Sequence, residues 1–170
     1  VLKHADAPVL VDGTGLNALV SEKGRRLLKR RFLNGNPTVV TPHAGEAARL
    51  ARPFDLPTDD PGALAQALSL AYGVIAVVKG PVTYVSDGER TVRMTHGTPA
   101  LAKAGTGDVL AGMTAALLAQ GLDPFEACVL GTELHGRAGL AAAARWSVIA
   151  ATAEDVIACV PDALAELVGA

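Results

Sequence analysis

Three short apolar runs, PVLV at 8–11, TVVT at 38–41 and VIAVV at 74–78, constrain this chain more than any other feature. Each is too short for a stable helix, is rich in β-branched residues and lacks the polar alternation of a strand with one wet face. Such runs are the buried strands of a parallel sheet. Each also delivers polar residues to a loop: Asp12 after the first, Pro42-His43 after the second, Lys79-Gly80 after the third. Helical sequence from Leu16 to Phe32, closed by the turn signal Asn34-Gly35-Asn36-Pro37, separates the first two runs. A short helix at Ala47–Leu50, a Pro- and Asp-rich loop from Pro53 to Gly62 and an amphipathic helix from Ala63 to Tyr72 separate the second from the third. This alternation predicts a single α/β domain over 1–170, a mostly parallel sheet flanked by helices on both faces. In such sheets ligands bind beyond the carboxyl ends of strands, where Asp12, His43 and Lys79 would gather.

The stretch HGTPALAKAGTGDVLAGMTAALLAQG at 96–121 carries the chemistry. Glycines at 105 and 107 flank Thr106, and a long small-residue helix follows. Without a Cβ at either glycine, the amides of Gly105, Thr106 and Gly107 can approach an anion closely, and the positive end of the helix adds to the attraction. Asp108, next to them, has two readings: a residue that caps free N–H groups at the helix start, or a base beside an anion site. His43, Glu46 and Lys79 have ordinary readings too, as a loop histidine, a helix-dipole carboxylate and a solvated lysine. No G-x-x-x-x-G-K-[ST] sequence occurs, so the usual P-loop is excluded.

Other elements follow from local signals. Tyr84–Arg90 with Thr91–Met94 reads as a hairpin turning at Asp87-Gly88. Asp123-Pro124 starts a helix running to about Arg145, in which His135 and Arg137 read as packing or surface residues. Thr152-Ala153-Glu154-Asp155 resembles a capping box for a last helix with Val156, Ile157, Val160, Leu164 and Leu167 on one face.

A net charge of −2 gives no footprint for nucleic acid, and the Arg25, Arg26, Lys29, Arg30, Arg31 cluster reads as a solvated helix face. No apolar run is long enough to cross a bilayer. Cys128 and Cys159, the two cysteines, lack metal-ligand spacing and read as buried reduced thiols of a soluble, cytoplasmic protein.

TPHAGEAARL at 41–50, VVKGPVTYVSDG at 77–88, GTPALAKAGTGDVLAGMTAALLAQGL at 97–122, LHGRAG at 134–139 and TAEDVIACVPDAL at 152–164 resemble, in order and spacing, the motifs of the ADP-dependent NAD(P)H-hydrate dehydratases. The resemblance implies a ribokinase-like fold and the repair of NADH or NADPH hydrates (NADHX and NADPHX) with ADP or ATP and Mg2+. It makes Asp108 the catalytic base and a substrate contact, and His43 a second substrate contact. Lys79, Gly80, Pro81, Val82, Thr83, Gly105, Thr106 and Gly107 match the adenine-nucleotide site, with Asp12, Asn17 and Glu46 in support; the metal ligands stay unassigned. Two positions depart from the family pattern: Thr14 replaces a second carboxylate in VDGTGLN, and Ala44 replaces the proline after the histidine. The family's N-terminal portion is also expected to be missing, which would leave a sheet edge and apolar surface open, with self-association as a consequence. A fused or partner epimerase domain is a further expectation of the resemblance. The competing readings are a ribokinase-like kinase of a vitamin or sugar alcohol, and a catalytically silent nucleotide-binding fragment.

Overall fold

The computed structural model describes residues 1–169. Its sheet runs in chain order through β1 (Val9–Val11), β2 (Thr38–Val40), β3 (Ile75–Val78), β4 (Thr83–Ser86) and β5 (Thr91–Met94). The first three strands are parallel, in the register Leu10 to Val39 and Val39 to Ile75. The last two form the expected hairpin, with β4 antiparallel to β3 and β5 antiparallel to β4. Asp87 Oδ1 accepts the amides of Glu89 and Arg90 at its turn, and Gly88 takes a φ of 96° that favours glycine.

Because side chains alternate along a strand, each strand feeds both faces. Val40, Ala76 and Val78 pack with Leu16, Leu28, Leu50 and Leu68 from α1 (Leu16–Leu19), α2 (Glu22–Leu33), α3 (Ala44–Ala51) and α4 (Pro61–Tyr72). Val39, Val77 and Val85 pack on the other face with Leu110 of α5 (Thr106–Ala119) and Phe125 and Cys128 of α6 (Pro124–Ala150). A third cluster joins Val109 and Ala138 to Val156 of α7 (Ala153–Ala158), Ala163 of α8 (Val160–Val168) and Cys159 between the two helices. The parallel three-strand core covered on both faces is thus present. Asp123 caps α6 by accepting from Phe125 and Glu126, and Thr152 and Asp155 form a capping box at α7. Both cysteines are buried and free, and burial pushes the Cys128 thiol up to about 12.

Three expectations about the helices are corrected. The helix of Leu16–Phe32 is two helices, because the Ser21 hydroxyl accepts from the Gly24 amide and starts α2 anew. Arg31 does not lie on a solvated face: it is 3% exposed, and its guanidinium donates to Thr38 Oγ1 at 2.9 Å and to the carbonyls of Ala5, Ala7 and Pro37. It ties the N-terminal segment to β2, with fixed-geometry donors meeting acceptors that would otherwise be stranded. The last helix breaks at Cys159, because Pro161 cannot donate in mid-helix and instead begins α8. Its buried residues are Val156, Cys159 and Ala163, while Ile157, Leu164 and Leu167 are exposed. α6 also loses helical geometry at Ser147, whose φ of 75° and ψ of 159° lie where glycine is at home. No helix among the described residues is long and apolar enough to cross a membrane.

Candidate functional site

The loops leaving β1, β2 and β3 meet at one edge of the sheet, as the parallel order requires. The Lys79 amide donates to Pro42 O at 2.8 Å, and His43 and Lys79 form an isolated parallel bridge, so the second and third loops are stitched by backbone. Lys79 Nζ donates to Asp12 Oδ1 at 3.0 Å, joining the third loop to the first, with both side chains about four-fifths buried.

The N-terminus of α5 sits against this pair. A Cβ on Gly107 would lie 3.2 Å from Lys79 Nζ and 3.9 Å from Asp12 Oδ2, so glycine is what allows a cation to stand over the first helical turn. Gly105 precedes the helix with a φ of 89°, and no side chain caps it. The Thr106 amide donates to Lys103 O, and its hydroxyl to the carbonyls of Leu101 and Lys103. Of the three amides expected to line an anion site, Thr106's is therefore spent on its own turn. The amides of Gly107 and Asp108 have no acceptor among the described residues, which leaves them, with the helix dipole, to an anion.

Asp108 lies in the first turn of α5 and is exposed. Its carboxylate takes part in no hydrogen bond or ion pair among the described residues, so capping does not account for it. Together with Gly105, Val109, Gly112, Met113 and residues of α7 and α8 it lines an open, largely apolar cleft of about 660 Å³. Space of that size suits a small organic ligand.

His43 and Glu46 together cap a helix, a role beyond the loop histidine and helix-dipole carboxylate expected of them. Nδ1 of His43 accepts from the Gly45 amide at 3.0 Å, and Glu46 Oε2 accepts from the His43 amide at 2.9 Å, a capping box that starts α3. An imidazole that accepts at Nδ1 carries its proton at Nε2, and the side chain is 61% exposed, so this edge remains open to a ligand. Asn17 Oδ1 accepts from Arg49. Gly80 to Thr83 lead into β4, and Gly97 packs close to Pro81 O, which brings the segment ahead of α5 beside them. Asp12, Lys79 and Gly107 are thus brought together, with His43 next to them along the backbone, while Asp108 borders the cleft toward α7 and α8.

One polar residue that the sequence reading set aside as packing also belongs here. His135 of α6 is 8% exposed, and its Nε2 lies 2.9 Å from the Thr106 carbonyl. Burial pushes its pKa down to about 4, against the hydrogen bond to Thr106 and with help from the Lys79 charge. The spacing Gly131, His135, Ala138, Ala142 along one helical face was the available signal that His135 points inward.

The model of the family described as NAD(P)H-hydrate dehydratase matches residues 1–162. The bifunctional NAD(P)H-hydrate repair enzyme Nnr of Salinibacter ruber is 36% identical over 170 residues, covering 99% of this chain and 30% of that protein. Among solved structures, the ADP/ATP-dependent NAD(P)H-hydrate dehydratase of Bacillus subtilis, co-crystallised with ATP/Mg2+, superposes with a TM-score of 0.79 at 25% identity. That likeness covers 96% of this chain and 56% of the other. A ribokinase-like superfamily protein of Enterococcus faecalis shares the fold, with a TM-score of 0.66 at 23% identity over 95% of this chain and 64% of its own. The fold is ribokinase-like, and the chain spans less than a third of the length of the Salinibacter relative.

Proposed function

Since this chain belongs to the NAD(P)H-hydrate dehydratase family, we propose that it acts in nicotinamide-nucleotide repair, dehydrating (S)-NAD(P)H hydrate to NAD(P)H at the expense of ADP or ATP. In this reading the terminal phosphoryl group of the nucleotide rests at the open amides of Gly107 and Asp108, with Lys79 beside them and Gly80 to Thr83 along the rest of the nucleotide. Gly105 and Thr106 shape the turn that presents those amides. His43 and Asp108 contact the hydrated nicotinamide, with Asp12 and Glu46 holding Lys79 and the His43 loop in place.

Asp108 accepts the proton of the hydrate hydroxyl while that oxygen attacks the terminal phosphorus. The phosphorus–oxygen bond to the nucleotide breaks, and AMP from ADP, or ADP from ATP, leaves with the electron pair. Phosphate then departs with the carbon–oxygen pair, the neighbouring ring carbon gives up a proton, and the ring double bond is restored.

The described residues contain no group of three or more His, Cys, Asp or Glu side chains able to cage a metal, and Asp12 is already paired with Lys79. They do not fit a resident Mg2+, and no step is assigned to one; an ion held chiefly by nucleotide phosphates and water is the usual arrangement for this cation. The bifunctional character of the Salinibacter relative supports a fused or partner epimerase activity alongside.

The observation that carries the reading is the unengaged Asp108 carboxylate, bordering a cleft at the helix end whose amides are open. The test is recovery of NADH absorbance from NADH hydrate with the full-length protein, with and without ADP or ATP and Mg2+. Nucleotide-dependent recovery is expected. A stable phosphorylated vitamin or sugar alcohol, with no NADH formed, would make the protein a kinase of the same fold; nucleotide binding without any turnover would make it a silent binder.

A further inference from the structure

We propose that His135 is a positioning residue for the anion site, holding the first turn of α5 in register by donating its Nε2 proton to the Thr106 carbonyl. This deepens the functional reading above and rests on it only for the identity of the anion. A carbonyl oxygen can only accept, so at 2.9 Å the Nε2 atom must carry the hydrogen. A ring buried this deeply stays neutral near pH 7, which makes the donor state permanent there.

Thr106 is the joint of the site. Its neighbours Gly105 and Gly107 have no side chains to anchor them, and the open amides of Gly107 and Asp108 follow it directly. Its hydroxyl and amide fix the chain behind it, to Leu101 and Lys103, but only within the same turn. The tie from His135 comes from a different element, and it is reinforced by close packing. A Cβ on Gly136 would fall 2.2 Å from His96 O, and one on Gly139 would fall 2.6 Å from Leu101 Cδ2. The segment from His96 to Thr106 therefore lies directly on α6 along His135, Gly136 and Gly139. The LHGRAG stretch is in effect a template that presses the anion turn into shape, with His135 as its polar contact.

The test compares His135→Leu, which fills the space without a donor, with His135→Gln, which keeps an N–H at similar reach, in the full-length protein. Two readouts are taken: amide hydrogen exchange over 101–110 without ligand, and ATP affinity by calorimetry. Loss of a buried hydrogen bond is expected to speed exchange over 101–110 and weaken ATP binding about tenfold in the leucine variant. The glutamine variant should recover most of both. Exchange over 101–110 unchanged in His135→Leu, or equal damage from both substitutions, would overturn the assignment. If the wild-type protein binds no ATP but exchange responds as described, the positioning role stands and the nucleotide reading fails.

Discussion

Lys79 and Asp12 form a 3.0 Å ion pair across the carboxyl ends of β3 and β1, and it closes over Gly107 in the first turn of α5, which has no side chain to stand in its way. The pair keeps a cation at the helix end without filling the space in front of the amides. Three strands and one helix are tied at a single point, so the geometry of the proposed anion site is set by the fold itself.

Gly107 is the position that separates binding from stability. A Cβ there meets Lys79 Nζ at 3.2 Å, the far end of a flexible side chain that can give way, and alanine suits a helix better than glycine. Gly107→Ala should therefore keep thermal stability within about 1 kcal/mol of wild type while displacing the lysine and obstructing the amides. ATP affinity is expected to fall about tenfold or more. Calorimetric titration alongside a denaturant melt checks both halves; undiminished affinity would move the phosphate site elsewhere.

Asp108→Asn keeps the size and shape of the side chain but removes its ability to take a proton. Since the carboxylate holds up no structure among the described residues, folding and nucleotide binding should be near wild type. Turnover should drop by about 100-fold or more, the usual worth of a positioned base. Steady-state rates on NADH hydrate measure it, and a variant turning over at the parental rate would take the base assignment away from Asp108.

Much of this arrangement was legible in the sequence because its signals are local. The three parallel strands, the Asp87-Gly88 turn, the Asp123 cap and the two buried thiols each follow from a few adjacent residues. The functions of Arg31 and His135 were not, because their partners lie far away in the chain. Arg31 reaches carbonyls 24 and 26 residues upstream, and His135 a carbonyl 29 residues upstream. Spacing could still have shown the direction of both: Gly24, Leu28 and Arg31 share one buried helical face, as do Gly131, His135 and Ala138. The break before α8 needed only the proline rule applied to Pro161 against an otherwise regular apolar pattern. The role of His43 as a cap was hidden because an imidazole is an uncommon residue at that position.

Stability should depend on pH through His135. Its folded pKa of about 4 lies below the ordinary 6.5, so between those values the unfolded chain binds more protons than the folded one. The contribution is complete above pH 6.5 and disappears as the pH falls toward 4, amounting to about 3 kcal/mol at most. In His135→Gln this part of the slope should vanish. Glu133 acts lower down: burial pushes its pKa up, but His96 and Arg137 prevail and hold it below 4.5, so its stabilisation is lost only in stronger acid. Urea melts at half-unit steps from pH 4 to 8 measure the difference, and identical slopes for variant and wild type would remove His135 as the source.

The strain at Ser147 offers a stabilising change away from the chemistry. Its φ of 75° with ψ of 159° falls in a region open to glycine and costly for other residues, yet the chain holds it there. The hold is visible: Lys103 Nζ donates to the carbonyls of Ile149 and Ala151, and the Ala151 amide donates to Ser147 O, clamping both sides of the break. Relaxing that clamp by returning Ser147 to helical geometry would give up these bonds, whereas glycine accepts the observed backbone as it stands. The Ser147 hydroxyl accepts from the Ala150 amide at 3.2 Å, but at an exposed position where water can replace it. Ser147→Gly should therefore raise stability by about 1 kcal/mol, net of the greater freedom glycine adds to the unfolded chain. A higher denaturation midpoint at constant m-value is the expected result, with Ser147→Ala giving no such gain. Equal midpoints for the glycine and alanine variants would mean that the backbone at this break stores no strain.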